Sequence, residues 1–250
     1  MDNSMQLKKR LIANALNFCK NKSLSGIERP SAFLFDKIEM SFFDKTYNNI
    51  INNQEYLNRI GKIHPKVPTI LEMQSSNSSD AILMNIFAHP DVKDWKPLSD
   101  LLSINSNDDI EFGWNPVHEN EKWKKTEIDV KIGNSIFEAK LTETDFKSKH
   151  LNIVLRYVDV EKIIDLKALT KDEIVSNYQL IRNIVTAKKY GYKFHLLIDE
   201  SRTDLRNEFD KVKNSILDKS LANSIELITW QQISTCVSDD LKEFLTEKYF

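Results

Sequence analysis

Three carboxylates and a lysine gather around one short turn: Glu127 and Asp129 precede Gly133-Asn134, and Glu138-Ala139-Lys140 follows it. Acids so placed can hold a hard divalent cation, because Mg2+ takes oxygen ligands, usually one or two carboxylates with waters and substrate phosphate completing the shell. A lysine beside them can hold a water, take its proton, or offset charge developing on a phosphate. The chemistry on offer is metal-assisted hydrolysis of a phosphate ester.

The flanking residues say how these groups are positioned. Ile128, Val130 and Ile132 interleave with Asp129 and Lys131, and Phe137, Ala139 and Leu141 interleave with Glu138 and Lys140, the period of two of a strand. Gly-Asn between two alternating runs predicts an antiparallel hairpin. Closing it there sets Val130 against Phe137, Asp129 against Glu138 and Glu127 against Lys140, with the charged residues on one face and the apolar ones on the other. Asp129 opposite Glu138 is repulsive unless a cation lies between them. The plainer reading is a solvated hairpin face of mixed charge, common in antiparallel sheets.

The strings Thr126-Glu127-Ile128-Asp129-Val130 and Phe137-Glu138-Ala139-Lys140-Leu141-Thr142-Glu143 resemble the signature of the PD-(D/E)xK nuclease superfamily, the restriction-endonuclease-like fold. The matching residues are Asp129, Glu138 and Lys140; Ile128 stands where a proline usually precedes the first acid. Ser78-Ser79-Asp80 through Asn85-Ile86-Phe87, and Tyr178-Gln179-Leu180 with Arg182-Asn183, are similar to stretches of a bacterial branch of restriction-type enzymes. The resemblance implies a Mg2+-dependent nuclease, with Mn2+ able to substitute, that hydrolyses phosphodiester bonds as a DNA endonuclease of restriction or phage-defence type. It further implies that Asp129, Glu138 and the Ala139 carbonyl hold the metal, that Lys140 is catalytic, and that Glu72 on the preceding helix is an auxiliary acid. The expected partners are double-stranded DNA, a second copy of the chain for cutting both strands, and a defence-system partner protein. A catalytically inactive nucleic-acid-binding or protein-interaction module on the same fold is the rival expectation.

Further auxiliary candidates come from placement. Glu127 shares the hairpin's charged face, and Glu111 lies on a neighbouring predicted strand. Gln179 and Arg182, three apart on a predicted helix, share a face from which they could orient a water or a phosphate backbone. Lys122, Lys124, Lys125, Lys147 and Lys149 cluster in sequence around the hairpin and are candidate nucleic-acid contacts. They matter because the net charge of −2 provides no global basic field.

The rest of the composition excludes more than it identifies. With 41% hydrophobic and 29% charged residues the 250-residue chain is ordinary for a folded protein. Five glycines and no Gly-rich phosphate loop argue against Rossmann and P-loop enzymes, and no Gly-x-Ser-x-Gly supports a serine hydrolase. Cys19 and Cys236 are too far apart in sequence to indicate a zinc motif or a disulfide framework. No apolar run approaches the roughly 18 residues of a membrane span, and charges interrupt the first residues, so a cytoplasmic protein without membrane contact is expected.

The elements expected are helices over 5–20 and 47–63, a helix over 68–87 broken near 75–79, strands over 109–114 and through the hairpin, and a helix of about five turns from the Thr170-Lys171-Asp172-Glu173 capping box to Gly191. Strands at 193–198 and 225–229 and helices at 203–217 and from 238 onward follow. The fold class is α/β: a restriction-endonuclease-like core with a central mixed sheet flanked by helices, in residues 66–250, preceded by an N-terminal helical region in residues 1–65.

Overall fold

The structure, a computed structural model, describes residues 3–65, 67–117 and 127–250. Apolar residues at helical spacing, Leu7, Leu11, Ala15 and Phe18, build α1 (Asn3–Lys22), and all four are buried. The aromatic-rich segment after it forms an antiparallel hairpin of β1 (Gly26–Arg29) and β2 (Ala32–Phe35), the latter wholly buried. The helix expected over 47–63 is two, α2 (Asp44–Ile51) and α3 (Gln54–Ile60). Asn53 leaves helical geometry between them, and its side chain accepts from the N–H groups of Glu55 and Tyr56.

The break expected near 75–79 is complete: a 3-10 turn at Glu72–Gln74 is separate from α4 (Ser79–Phe87), which Ser78 caps by accepting from Ala81 N–H at 3.2 Å. After α5 (Lys96–Leu102) come β3 (Ile110–Trp114), β4 (Ile128–Ile132) and β5 (Ser135–Ala139). Only Gly133 of the turn between β4 and β5 has positive φ, +52°, and the register is the one counted from sequence, Val130 against Phe137 and Ile132 against Ser135.

One expectation fails. After β6 (Lys149–His150), α6 (Leu151–Val154) and α7 (Val160–Ile163), the supposed capping box lies in the hairpin of β7 (Thr170–Lys171) and β8 (Ile174–Val175). Asp172 and Glu173 have φ of 49° and 62°, two consecutive left-handed residues that suit a tight hairpin turn and cannot open an α-helix. The helix, α8 (Tyr178–Tyr190), is therefore 13 residues long, and Gly191 ends it as expected. Then β9 (Lys193–Ile198), α9 (Thr203–Asn214), α10 (Lys219–Asn223), β10 (Ile225–Thr229), α11 (Trp230–Ser234) and α12 (Asp239–Tyr249) complete the chain.

The five-stranded sheet has the order β10-β9-β5-β4-β3, with β9 parallel to β5 and β10 and the rest antiparallel. This is the mixed sheet expected. Both faces are covered: Ile136, Phe194, Leu196 and Ile225 pack with Ile181, Ile184 and Phe209 of α8 and α9, and Val130, Phe137, Leu197 and Ile228 pack with Leu7, Ile86 and Leu245 of α1, α4 and α12. Two buried faces explain why β9 reads as a nearly continuous apolar run. The first elements pack on the later ones, with α1 against α12 and the Thr46 hydroxyl donating to the Asn85 carbonyl at 3.0 Å.

Candidate active site

The ladder between β4 and β5 stops one rung short of the acids. Beyond Val130 and Phe137, Asp129 Oδ2 accepts from the Ala139 N–H at 2.8 Å, so a side chain stands where a backbone carbonyl would. The next amide, Lys140 N–H, turns the other way and donates to Leu197 O of β9 at 2.8 Å. In extended backbone a residue's N–H and C=O point to the same side, so the Ala139 carbonyl faces the gap that Asp129 enters. Glu127 does not face Lys140, as the flat hairpin predicted, because the two strands have already parted.

β3 shares this change of direction. Ile110 and Phe112 pack with the α4 side of the sheet, as do Val130 and Ile132 opposite them, whereas Trp114 and its partner Ile128 pack on the α8 side. Strict alternation would keep Phe112 and Trp114 on one face. Gly113, between them with φ +66°, turns the strand over, and Asp129 lies at the same level of β4. A fault in the alternation thus carries the first acid out of the core faces and into the gap.

Glu138 is 2% exposed and lies under α8. Its Oε1 is 2.8 Å from Lys140 Nζ and accepts from Gln179 Nε2 at 3.4 Å; its Oε2 accepts from Asn183 Nδ2 at 2.8 Å and lies 3.9 Å from Arg182 Nη2. Burial opposes its ionisation, but Lys140 and Arg182 overcome that and hold it below the ordinary carboxylate range. Asp129 has the opposite balance: burial and the charge of Glu138, then of Asp80, push its pKa well up. Burial lowers the pKa of Lys140, but Glu138, Glu143 and Asp129 more than reverse this, so its amine stays charged. The proton-abstracting role open to it on sequence alone is unfavourable in this environment.

The loop after Lys140 is clamped. Trp230 Nε1 donates to the Lys140 carbonyl at 3.0 Å, and the fully buried Arg202 donates to the carbonyls of Leu141 and Glu143. Glu143 accepts from Leu141 N–H and from the Ser79 hydroxyl, both at 2.7 Å. Lys140 is therefore held from both backbone and side chain.

The other sequence candidates are scattered around this centre. Glu127 pairs with Arg59 and Lys62. Glu72 is half-buried, and burial and then the charge of Asp80 raise its pKa. Glu111 pairs with Lys131 rather than with the two acids. Arg182 Nη2 donates to the Glu127 carbonyl at 2.9 Å, which ties α8 to the start of β4. Lys147 is exposed and Lys149 half-buried, whereas Lys122, Lys124 and Lys125 lie outside the described residues.

Three contributors were given no role from sequence, although Asp80 and Asn183 lie in the stretches that carry the resemblance. Asn183, fully buried, grips Glu138, and its spacing of four from Gln179 could have placed it on the same helix face. Asp80 and Arg59 come from α4 and α3: Arg59 Nη2 is 2.8 Å from Asp80 Oδ1 and 3.9 Å from Asp129 Oδ1. No local pattern joins residues so distant in sequence.

A divalent cation fits the gap on two grounds. Asp129 is an acid whose ionisation the surroundings oppose, with its side chain 21% exposed and therefore reachable. The Ala139 carbonyl faces the same space. Among the described residues, no three His, Cys, Asp or Glu are grouped to share a metal, so a cation in this gap would take most of its ligands from water and substrate, as Mg2+ does. No helix among the described residues is long and apolar enough to cross a membrane.

A family model described as Restriction Endonuclease associating with ARP matches residues 17–250. No curated protein and no solved structure gives a significant match.

Proposed function

We propose, from the premise that this chain belongs to the family Restriction Endonuclease associating with ARP, that it is a divalent-metal-dependent DNA endonuclease hydrolysing phosphodiester bonds. The observation that carries this reading is the parted β4–β5 rung, where Asp129, made costly to ionise by burial and Glu138, shares a gap with the Ala139 carbonyl. Asp129, Glu138 and the Ala139 carbonyl would hold Mg2+ or Mn2+. When bound, the cation would polarise the phosphate and make a neighbouring water more acidic.

The chain's own residues account for the rest. Lys140, kept protonated, would steady the extra negative charge of the phosphate as water attacks. Asn183 and Gln179 fix the rotamer of Glu138, and Gln179 Oε1, buried without a hydrogen-bond partner, can accept from a water. Arg182 keeps α8 against β4 and adds positive charge to the phosphate side. Cutting both strands of a duplex requires two such sites, which a homodimer would supply. The family description names an association with ARP, so a partner protein in a restriction or phage-defence system belongs to this reading.

The test is cleavage of plasmid and oligonucleotide DNA across a Mg2+ or Mn2+ titration. Wild type should cut only with the metal, and Asp129→Ala and Lys140→Ala should each lose about a hundredfold or more in rate. Equal cutting by the variants would remove these residues from the chemistry. One observation favours the rival binding module: Lys140, Arg182, Arg59 and Lys62 already pair with the acids of the site. That reading expects DNA retention without metal, weakening steeply with salt.

A further inference from the structure

Arg59 is in the wrong company for a surface arginine. Its side chain is 7% exposed and reaches from α3 into the acids beside the parted rung. One nitrogen, Nη2, lies 2.8 Å from Asp80 Oδ1 and 3.9 Å from Asp129 Oδ1, and the other, Nη1, bonds Glu127 Oε1. Three carboxylates, one from α4 and two from the start of β4, thus converge on one planar cation. Lys62 supports the outer side, 3.6 Å from Asp80 and 3.3 Å from Glu127.

A second hard cation beside the first would need these same oxygens. Two-ion nuclease sites keep their metals about 3.5–4 Å apart, and the acids that contact Arg59 beside Asp129 are Asp80 and Glu127. Both are already engaged, and Arg59 cannot give up its charge in a protein. Burying it there without partners would be costly, because a buried charge whose carboxylates are removed is left uncompensated. Gly113 is shaped for it: a Cβ on that residue would come within 2.9 Å of Arg59 Nη1.

We propose that Arg59 is a built-in substitute for a second metal ion, so that the site holds a single divalent cation and Arg59 supplies the other fixed positive charge beside Asp129. This rests on the metal site proposed above. It makes Arg59 a positioning residue: it holds Asp80 and Glu127 out of the coordination shell and leaves Asp129 for one ion. It also makes α3, in the N-terminal 65 residues, part of the site's electrostatics.

The experiment counts Mn2+ ions per folded chain by electron paramagnetic resonance and by calorimetric titration. The proteins are wild type, Arg59→Ala, the milder Arg59→Gln and Asp129→Ala, with folding checked by circular dichroism. Expected are one ion for wild type and two for a folded Arg59 variant, together with a larger rise in melting temperature on adding Mn2+ than wild type shows. Two ions in wild type overturn the proposal whether or not any variant folds. One ion in both wild type and a folded Arg59 variant overturns it too, as does failure of both variants to fold even with Mn2+ present, since a second ion should then replace the guanidinium. Asp129→Ala separates the two levels of the argument: if it binds as many ions as wild type, or if wild type binds none, the metal site itself is wrong and Arg59 has nothing to substitute for.

Discussion

Asp129 bears the cost of the site. Its carboxyl is pushed well up by burial and by Glu138, whereas Glu138 keeps its charge because Lys140 and Arg182 are near. An acid whose folded pKa exceeds its unfolded one keeps its proton longer when folded. For Asp129 the folded state is therefore favoured most below the unfolded value of about 3.9, and that advantage is lost as pH rises from there through the raised pKa. Asp129→Asn keeps an oxygen for the Ala139 N–H and removes the charge. In EDTA at pH 7 it should melt higher than wild type, while cutting no DNA. The gap should narrow toward pH 4 and close or reverse when Mn2+ is added to both. A variant that melts below wild type at pH 7 without metal would show that Asp129 is not an ionised burden. Of this residue-scale picture, Asp129, Glu138 and Lys140 were legible as types at a spacing; the contrast between the two acids was not, because it depends on Arg182 and Asn183, which are more than forty residues beyond them in the chain.

At the scale of elements, the alternation of β4 and β5 was enough to set their register, because a slip of one residue would bury charges and expose isoleucines. What alternation could not show is where it stops. Ile128 and Trp114 change faces together at Gly113, whose φ of +66° an L-residue adopts only with strain. Gly113→Ala should therefore cost about 1–3 kcal/mol of stability, read by urea denaturation, and should slow cleavage as well, since the new methyl meets Arg59. If the variant is as stable and as active as wild type, the turn-over at Gly113 does not position Asp129. The failed capping box belongs here too: Thr-x-x-Glu suits a helix start, but the short hairpin of β7 and β8 sets Asp172 and Glu173 in left-handed geometry. Local preference lost to a tertiary pairing that places β8 between β6 and β7.

For the whole molecule, α1 and α12, from opposite ends of the chain, pack together and enclose Lys248, which is 1% exposed. Its amine lies 4.4 Å from the Phe35 ring centre, near Phe244 and Phe18, and donates to the Met40 carbonyl at 3.2 Å. Burial lowers its pKa far below the ordinary lysine value, and Cys19 only partly opposes this. A base with a depressed folded pKa loses stability as pH falls from the unfolded value of about 10.4 toward the folded one, because the unfolded chain takes up the proton first. Lys248→Met should raise the melting temperature at pH 7 by about 2–4 °C for each kcal/mol gained, with the gain shrinking toward pH 10. No gain at pH 7 would mean that the aromatic rings compensate the buried amine. Since this packing lies between the chain ends, it also bears on whether residues 1–65 act as a separate unit.

By itself the sequence determined the hairpin, its register and the mixed sheet, and carried the resemblance to the superfamily, because strand alternation and an acid-x-Lys string are local properties that survive without a fold. Only the tertiary structure decided that β4 and β5 part at Asp129, that Lys140 stays charged, and that Arg59 stands among Asp80, Glu127 and Asp129. Those are matters of distance and burial between segments remote in sequence, and electrostatic energy depends on both far more than on residue type.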